Sequence, residues 1–343
     1  MSHPLLKQIK NLEGARKSSQ PDFIAPQLAT LVKEPPTGDE WFHELKFDGY
    51  RMICHLKNGK VRFWSRNQKD WTTKFRSLTK AITSLPVKSA ILDGEVVVMD
   101  ASGRTSFQQL QQSMGKNGGE AGFVYEAFDL LYVEGYLLTR VVLKERKQLL
   151  RELLKANEKK AAVRYSDHVE GNGAAFYKQA CDYGIEGIVS KLSNASYEST
   201  RSRNWLKVKC AKNQEFVVAG YTTSAKGLPG FGSLILGVYD KGKLIYAGRV
   251  GTGFSLKQRV ELAKKLDTLS RESSPFAVTP KDPGLRQAHW ATPRLVAEVT
   301  FTEWTSDGSI RHPSFQGLRE DKRAEEVVRE LPATPPARSK KKR

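Results

Sequence analysis

Short runs of alternating apolar and polar residues fill most of the first two-thirds of the chain. Alternation with a period of two is typical of half-buried β-strands. It predicts strands over Trp41–Leu45, Tyr50–Leu56, Val61–Trp64, Ala90–Met99, Phe123–Tyr132 and Ile185–Lys191. Apolar residues at steps of three and four predict helices over Thr73–Ser84, Leu143–Asn157 and Gly173–Tyr183. Because short turns join several of the strands, these patterns predict an α+β fold with mainly antiparallel sheets.

The pattern changes after Lys212, where short β-type segments are separated by glycine-rich turns. The segments are Glu215–Thr222, Ser233–Tyr239, Leu244–Val250 and Leu295–Phe301, and one helical stretch covers Leu256–Leu269. Several short strands with a single helix predict a small β-barrel, for which the OB-fold is a good candidate because it is a common nucleic-acid platform. We therefore expect a basic N-terminal arm (1–25), an antiparallel-sheet domain (26–212), a barrel domain (213–330) and a disordered basic tail (331–343).

The net charge of +19 predicts a polyanionic partner, since such a field attracts DNA or RNA. Five of these charges lie in residues 337–343, and without them the chain still carries +14. No apolar run approaches the ~20 residues of a membrane span, and the first residues lack a signal-peptide pattern. We therefore expect a cytoplasmic protein with no membrane partner. Cys54, Cys181 and Cys210 are far apart in sequence, so neither a disulfide framework nor a zinc site is expected.

The hexapeptide Lys46–Arg51, with the sequence KFDGYR, joins two predicted strands and carries the first chemical signal. A lysine at a strand end, beside carboxylates such as Glu44, suits a nucleophile aimed at a nucleotide phosphate. Neighbouring cations lower the pKa of a lysine. Arg51 and the alternating pair Lys207 and Lys209 are therefore expected to favour deprotonation of Lys46 and to hold phosphates.

Acidic and aromatic residues on other predicted strands extend this set. Glu95 and Glu186 lie on or beside strands, and carboxylate oxygens next to phosphates suit Mg²⁺. Phe128 is suited to stacking on a purine. Each feature alone is more often structural, but their combination in this order predicts chemistry on a nucleotide.

In this order, the motifs resemble those of the nucleotidyltransferase superfamily, which includes ATP-dependent DNA ligases, RNA ligases and mRNA capping enzymes. Lys46–Arg51 is similar to the family's Lys-x-Asp-Gly-x-Arg motif, and Ser65-Arg66-Asn67 with Asp70-Trp71 resembles the DNA-contact motif that follows it. The runs over residues 65–71, 201–209 and 317–322 most closely resemble the ligase module of bacterial end-joining proteins called ligase D. The resemblance extends from about residue 20 to residue 325 and is highly specific.

The resemblance implies an adenylation domain followed by an OB-fold domain, and a DNA ligation cycle of three steps. Lys46 attacks the α-phosphate of ATP, AMP passes to a DNA 5′-phosphate, and a 3′-hydroxyl then displaces AMP. The implied cofactors are ATP and Mg²⁺ or Mn²⁺. The implied partners are nicked or broken duplex DNA and a Ku-type end-binding protein. The enzyme is expected to be a monomer associated with a bacterial nucleoid.

Matching positions assign the remaining roles. The resemblance gives Glu44 to adenine, Phe128 to the adenine face, Arg51 and Glu95 to ribose or phosphate, Arg66 to ATP or the DNA 5′-phosphate, Arg201 and Lys207 to the α-phosphate, and Asp321 and Lys322 to the leaving pyrophosphate. For the last two to reach ATP, the second domain must close over the first about a hinge, which we expect near Cys210–Gln214.

Two alternatives stay open at this point. The nearest is an RNA ligase or an mRNA-capping enzyme, although residues 65–71 and 319–322 are more ligase-like. The other is a non-catalytic nucleic-acid-binding protein, which the presence of every expected chemical residue disfavours. Many ligase D proteins also carry polymerase and 3′-phosphoesterase domains, for which 343 residues leave no room. The chain is therefore either a standalone enzyme or one module of a longer protein.

Overall fold

A computed structural model of the chain describes residues 4–100, 102–114, 122–155, 162–224, 227 and 229–333. These residues form two compact units. The first ends at Cys210, and the second covers Ala211–Glu330, compared with a predicted boundary after residue 212. From Leu331 the chain belongs to the first unit again, where the Ala333 N–H donates to the Leu31 carbonyl over 2.8 Å. The rest of the predicted tail, residues 334–343, lies outside the described residues.

The first unit contains two sheets and several helices. The helices are α1 (Pro4–Ile9), α2 (Arg76–Thr83), α3 (Phe107–Ser113), α4 (Leu143–Leu154) and α5 (Gly173–Asp182). The strands are β1 (Arg16–Lys17), β2 (Leu28–Leu31), β3 (Trp41–Leu45), β4 (Tyr50–Lys57), β5 (Lys60–Ser65), β6 (Ser89–Val98), β7 (Phe123–Val133), β8 (Tyr136–Leu137), β9 (Val163–Tyr165), β10 (Val169–Glu170), β11 (Gly187–Leu192) and β12 (Arg201–Lys209). A seven-stranded sheet has the order β1-β8-β7-β6-β4-β5 with β9 beside β7, and a five-stranded sheet has the order β10-β3-β11-β12-β2.

Both faces of the seven-stranded sheet are covered, as strand β4 illustrates. Successive side chains of a strand point to opposite faces. Met52 belongs to the core that includes Leu78 and Ile82 of helix α2. Ile53 points to the opposite face and packs with Phe128 and other residues in a second cluster. The sheet therefore has a helix-covered face and a second face that also carries Arg51, and this second face borders the candidate site.

The segment predicted as a basic arm, residues 1–25, packs onto the first unit in its described part. Leu5 and Ile9 of α1 are buried in the main core, and β1 pairs with β8. Leu5 and Ile9 stand four apart in a helix of only six residues, so the sequence pattern is too brief to reveal the buried side.

The predicted helices are present, but their ends differ. Helix α2 begins at Arg76 rather than Thr73, α4 ends at Leu154 rather than residue 157, which lies outside the described residues, and α5 ends at Asp182. Helix α3 has no counterpart in the prediction because its glutamine-rich sequence offers few apolar positions. The Ser106 hydroxyl at its start accepts a hydrogen bond from Gln109 N and so caps the helix.

The second unit contains a six-stranded sheet, a separate two-stranded sheet and a single α-helix in its described part. The elements are β13 (Lys212–Thr222), β14 (Ser233–Asp240), β15 (Lys243–Val250), α6 (Leu256–Asp267), β16 (Ser270–Arg271), β17 (Ala288–Phe301), β18 (Glu303–Trp304), β19 (Ile310–Arg311) and β20 (Ser314–Leu318), with 3-10 turns at Pro283–Leu285 and Ala324–Glu326. The sheet has the order β15-β14-β13-β17-β16 with β20 beside β17, and β18 pairs separately with β19. Among the described residues these pairings form a six-stranded sheet without a closed ring.

In the parts of both units that the structure describes, no helix is both long and apolar enough to cross a membrane.

Candidate active site

Lys46 and Glu186 meet at one end of the five-stranded sheet. Lys46 directly follows β3, and Glu186 directly precedes β11, the antiparallel neighbour of β3. The Lys46 N–H donates to the Gly187 carbonyl over 2.9 Å, which fixes the two chain segments side by side. The Lys46 ammonium donates to Oε2 of Glu186 in an ion pair. The side chain of Lys46 is 22% exposed, so a ligand can reach its amine.

The charge state of Lys46 differs from the sequence-based expectation. Burial lowers its pKa, but the opposing charge and hydrogen bond of Glu186 outweigh burial and raise the pKa above its ordinary value of 10.5. Lys209 opposes this effect, as expected for a nearby cation. The prediction of a lowered pKa is therefore wrong, because it did not include the opposing charge of Glu186.

Glu44 immediately precedes Leu45 on β3, and its side chain is buried near the same end of the five-stranded sheet. Its Oε1 accepts from Lys147 Nζ at 2.9 Å, while its Oε2 accepts from Lys191 Nζ and Ser166 Oγ, each at 2.9 Å. Burial raises the pKa of Glu44, but the two ammonium groups together outweigh it and hold the pKa below its usual value. A carboxylate has about four lone-pair positions, so three donors leave room for a fourth.

Phe128 packs beside the same charged group. Its ring is buried, and Lys191 Nζ lies 4.2 Å from the ring centroid and 4.3 Å from that of Trp205. Burial lowers the pKa of Lys191 to about 8, although Glu44 acts in the opposite direction. The sequence-based site omitted both Lys191 and Lys147. A lysine inside the apolar strand β11 was the available signal, since a buried lysine requires a partner.

Arg51 has protein partners that the sequence analysis did not name. Its guanidinium binds both Asp93 carboxylate oxygens, at 2.9 and 2.6 Å, and donates to the Gln27 carbonyl at 2.5 Å. Asp93 is fully buried and also accepts from the Tyr197 hydroxyl at 2.6 Å. Arg51 therefore contributes to the packing of the sheet face, and the pKa of Lys46 shows no major effect from it. Its expected part in deprotonating Lys46 stays a prediction.

Glu95 belongs to a charged row that crosses the seven-stranded sheet. Its register partners are Arg51 on β4 and Glu126 on β7, and Glu126 is in turn opposite Arg164 on β9. Burial raises the pKa of Glu126 to about 7, with Arg164 opposing. Across the described residues, no group of three or more His, Cys, Asp or Glu side chains could hold a metal ion.

The other predicted residues of the first unit lie at different places. Lys207 and Lys209 are on β12 opposite Val189 and Gly187, so Lys209 lies beside the Lys46–Glu186 end of the sheet. Arg201 starts the same strand at its other end and donates to the Ala29 carbonyl. Arg66 is half-buried and directly follows β5.

Asp321 and Lys322 lie in the second unit and are both ion-paired there. Both carboxylate oxygens of the buried Asp321 accept from Arg319, each at 2.9 Å. Lys322 Nζ donates to Glu215 of β13 at 2.6 Å.

Cys181 and Cys210 form a disulfide, contrary to the sequence-based expectation. The two residues are 29 positions apart, but β11 returns the chain so that the end of helix α5 meets the end of β12. The Cys210 N–H donates to the Glu186 carbonyl over 2.9 Å. The disulfide therefore borders the Lys46–Glu186 pair, while Cys54 is a buried free thiol.

The site thus combines a lysine at a strand end and its carboxylate partner with a buried glutamate and a neighbouring strand that carries lysines. Comparison with known sequences shows the family to which the chain belongs. The sequence profile described as "ATP dependent DNA ligase domain" matches residues 26–209. A second profile, "ATP dependent DNA ligase C terminal region", matches residues 228–322. The first match alone covers more than half of the chain, which therefore belongs to the ATP-dependent DNA ligases, a family of enzymes.

Among curated proteins, the chain is similar to multifunctional end-joining proteins. It is 39% identical to the "Multifunctional non-homologous end joining protein LigD" of Pseudomonas aeruginosa over 336 residues, which are 97% of this chain and 40% of that protein. It is 35% identical to the corresponding DNA repair protein LigD of Mycobacterium tuberculosis over 329 residues, or 95% of this chain and 42% of that one. The chain thus spans about two-fifths of the length of these relatives.

Solved structures agree with this assignment. A structure described as mycobacterial DNA ligase D complexed with ATP and MES has 34% sequence identity and a TM-score of 0.67, and the match covers 90% of this chain and 98% of that one. The ligase domain of M. tuberculosis LigD has 35% identity and a TM-score of 0.51. The predicted order of an adenylation domain followed by an OB-fold domain is confirmed.

Proposed function

We propose that this chain seals 5′-phosphate/3′-hydroxyl breaks in duplex DNA with ATP, as the ligase component of bacterial non-homologous end joining. The observation that carries the proposal is the accessible Lys46 amine, held by Glu186 at the end of the sheet beside Lys209. The names of the relatives from P. aeruginosa and M. tuberculosis support the end-joining role. The net charge of +19 supports a polyanionic substrate.

The first step forms a bond between Lys46 Nζ and the α-phosphorus of ATP, while the bond to pyrophosphate breaks. The ammonium must first lose a proton, since a protonated amine has no lone pair to donate. In the free protein Glu186 favours the ammonium and Lys209 disfavours it. Any change that weakens the contact with Glu186 will therefore lower the pKa of Lys46 and increase its reactive fraction.

Recognition of the nucleotide is proposed for groups on both sheets. Glu44 keeps one acceptor position for the adenine amino group after binding its three donors. Phe128 would contact the adenine face, and Glu95 the ribose. Arg201, Lys207 and Lys209 would neutralise phosphate charge, and Arg66 would hold ATP or the DNA 5′-phosphate. Arg51 would act on ribose or phosphate only after loosening its bonds to Asp93.

The carboxylates fit a divalent cation that is completed by substrate oxygens. Glu186 already holds a cationic group, and Glu95 lies opposite the buried Glu126. Mg²⁺ commonly binds one or two carboxylates together with phosphates, so three protein ligands are not required. Glu95 and Glu186 would hold Mg²⁺ or Mn²⁺, which when bound would neutralise phosphate charge during transfer.

In the second unit, Asp321 and Lys322 are proposed to orient the leaving pyrophosphate. That role requires Lys322 to exchange Glu215 for phosphate oxygens and the chain to hinge near Cys210–Gln214. At the level of the cell, we propose a monomer that acts at the bacterial nucleoid and is recruited by a Ku-type end-binding protein.

The test is incubation with ATP labelled at the α-phosphate, followed by detection of a covalent AMP adduct and of sealed nicked DNA. Lys46→Arg keeps the charge but removes the reactive amine, so both products should vanish while sealing of a pre-adenylated nick persists in part. A parallel incubation with labelled GTP, and a nick that contains RNA, separate capping and RNA joining from DNA ligation. An AMP adduct on Lys46→Arg would refute the assignment of the nucleophile.

A further inference from the structure

A groove of about 660 Å³ lies on the same sheet face as Arg51, toward the β4–β5 turn. His55 lines it four residues beyond Arg51 on β4, which corresponds to about 13 Å along a strand. The opposite wall is the N-terminal segment that contains Gln20 and Phe23. The groove is thus separate from the Lys46–Glu186 pair, although both belong to the first unit.

Two buried polar atoms of residues that line this groove have no hydrogen-bond partner among the described residues. His55 is 8% exposed, and its Nε2 is unpaired. Gln20 uses its Nε2 to donate to the carbonyls of Leu56 and Ala90, at 3.2 and 3.3 Å, and its Oε1 accepts from no protein atom. Buried polar groups are nearly always satisfied, so both atoms are exceptions, but each exposes less than 1 Å² and cannot contact a ligand in the groove unless the surrounding side chains shift.

The rim of the groove is basic and carries an aromatic ring. Lys57, Lys60 and Arg62 are exposed, and among the described residues of the lining Asp22 alone is acidic. The half-buried Trp64 completes one wall, with the Arg62 guanidinium 5.7 Å from its ring centroid. Cations that attract phosphates, combined with an aromatic surface for a base, are the features of sites that bind single-stranded nucleic acid.

From these features we infer that the groove binds an unpaired DNA strand, with a base against Trp64 and its phosphates on Lys57, Lys60 and Arg62. Paired bases are stacked on one another inside a duplex and cannot also stack on Trp64. An unpaired base exposes hydrogen-bonding edges and a flat face at once. The groove therefore selects DNA ends with a single-stranded overhang. This inference rests on the proposed function only in taking DNA as the substrate.

The test compares the binding of labelled duplexes that differ in one end: blunt, or with an overhang of about ten nucleotides, within the site sizes of single-strand binders. The double variant Lys60→Ala/Arg62→Ala should weaken binding of the overhang duplex about tenfold and leave the blunt duplex nearly unchanged. Trp64→Leu should act in the same direction, and Trp64→Phe, which keeps an aromatic face, should retain most of the affinity.

The matched control is Arg76→Ala/Lys80→Ala, which removes two exposed cations from helix α2 on the opposite face of the sheet. It should reduce binding of both duplexes slightly and equally. Equal losses for both double variants, equal losses on blunt and overhang ends, or displacement of the overhang by a mononucleotide at similar concentration would overturn the inference. Labelled-ATP adduct formation serves as a separate readout, because its absence in the unaltered protein would contradict the ligase proposal without touching the groove.

Discussion

Reduction of the disulfide between Cys181 and Cys210 should destabilise the first unit at the point where Glu186, the partner of the proposed nucleophile, is held. The bond ties the end of helix α5 to the end of β12, and Cys210 also donates its N–H to the carbonyl of Glu186. Without the bond, the Glu186 backbone and the neighbouring Lys209 lose one covalent restraint and keep non-covalent contacts such as the hydrogen bond from the Tyr177 hydroxyl to the Lys209 carbonyl. Both residues act on the pKa of Lys46, so stability and adenylation should change together.

The expected loss of stability follows from the length of the chain segment that the disulfide closes into a loop. For a sequence separation of 29 residues, the loss of loop entropy in the unfolded chain amounts to about 3–4 kcal/mol. In a unit of roughly 200 residues, this corresponds to a fall of about 10 °C in melting temperature. Adenylation should slow, since residues that set the charge of Lys46 are then less firmly positioned.

The measurement is thermal unfolding with and without reductant, combined with the rate of AMP-adduct formation. Cys181→Ser/Cys210→Ser is the matched control, because it should melt like the reduced protein and respond no further to reductant. Titration of thiols in the denatured, unreduced protein should find one, from Cys54. Three titratable thiols, or a melting temperature that reductant leaves unchanged, would refute the reasoning.

Three further predictions concern other buried charges. Glu126 has a folded-state pKa of about 7 against an ordinary 4.5, so its contribution to stability is fully present below about pH 4.5 and is lost as the pH rises through 7. The free energy of unfolding of Glu126→Gln, measured with denaturant, should therefore exceed that of the unaltered protein by up to about 3 kcal/mol at pH 8.5 and should equal it at pH 4. Asp129 and Arg146 are fully buried and joined by two hydrogen bonds of 2.7 and 2.8 Å, so Asp129→Ala should lower the free energy of unfolding by about 3–5 kcal/mol. The control Asp167→Ala removes the partner of the exposed Arg151 and should lower it by under about 1 kcal/mol. Similar losses for the two variants would contradict this prediction. Lys322→Ala should slow adenylation far more than sealing of a pre-adenylated nick. Asp321→Asn is a better companion variant than Asp321→Ala because it leaves an acceptor for Arg319. Equal losses in both steps would mean that this segment only supports the fold.

The sequence could predict the parts of the site that depend on neighbouring residues in the chain. Alternation along Trp41–Leu45 and Tyr50–Leu56 placed Lys46 between two strands, and the structure has β3 and β4 there. Period-two patterns are local, so a strand can be read without knowledge of its partner. The second unit was predicted in the same way, from short strands around one helix.

Contacts between distant segments could not be read in this way. Glu44 is held by Lys147 from α4, Ser166 from the segment after β9 and Lys191 from β11, and no local pattern unites these elements. The disulfide has the same origin, because only the return of β11 brings Cys181 to Cys210. The sequence identified Arg51 as a candidate site residue. Its orientation could not be predicted, because its partner Asp93 on the adjacent strand determines the position of the guanidinium.

Two lysines at this sheet show why pKa alone does not identify the nucleophile. The pKa of Lys191 is lowered to about 8, which would favour a reactive amine, yet its side chain is 2% exposed and lies against Phe128 and Trp205. The pKa of Lys46 is raised, but its side chain is 22% exposed at the end of the sheet. An amine without access to phosphorus cannot react whatever its charge, whereas an exposed ammonium can react once it loses a proton, which a weaker contact with Glu186 favours. The difference in exposure therefore supports the proposal that Lys46 is the nucleophile, while the buried Lys191 holds Glu44.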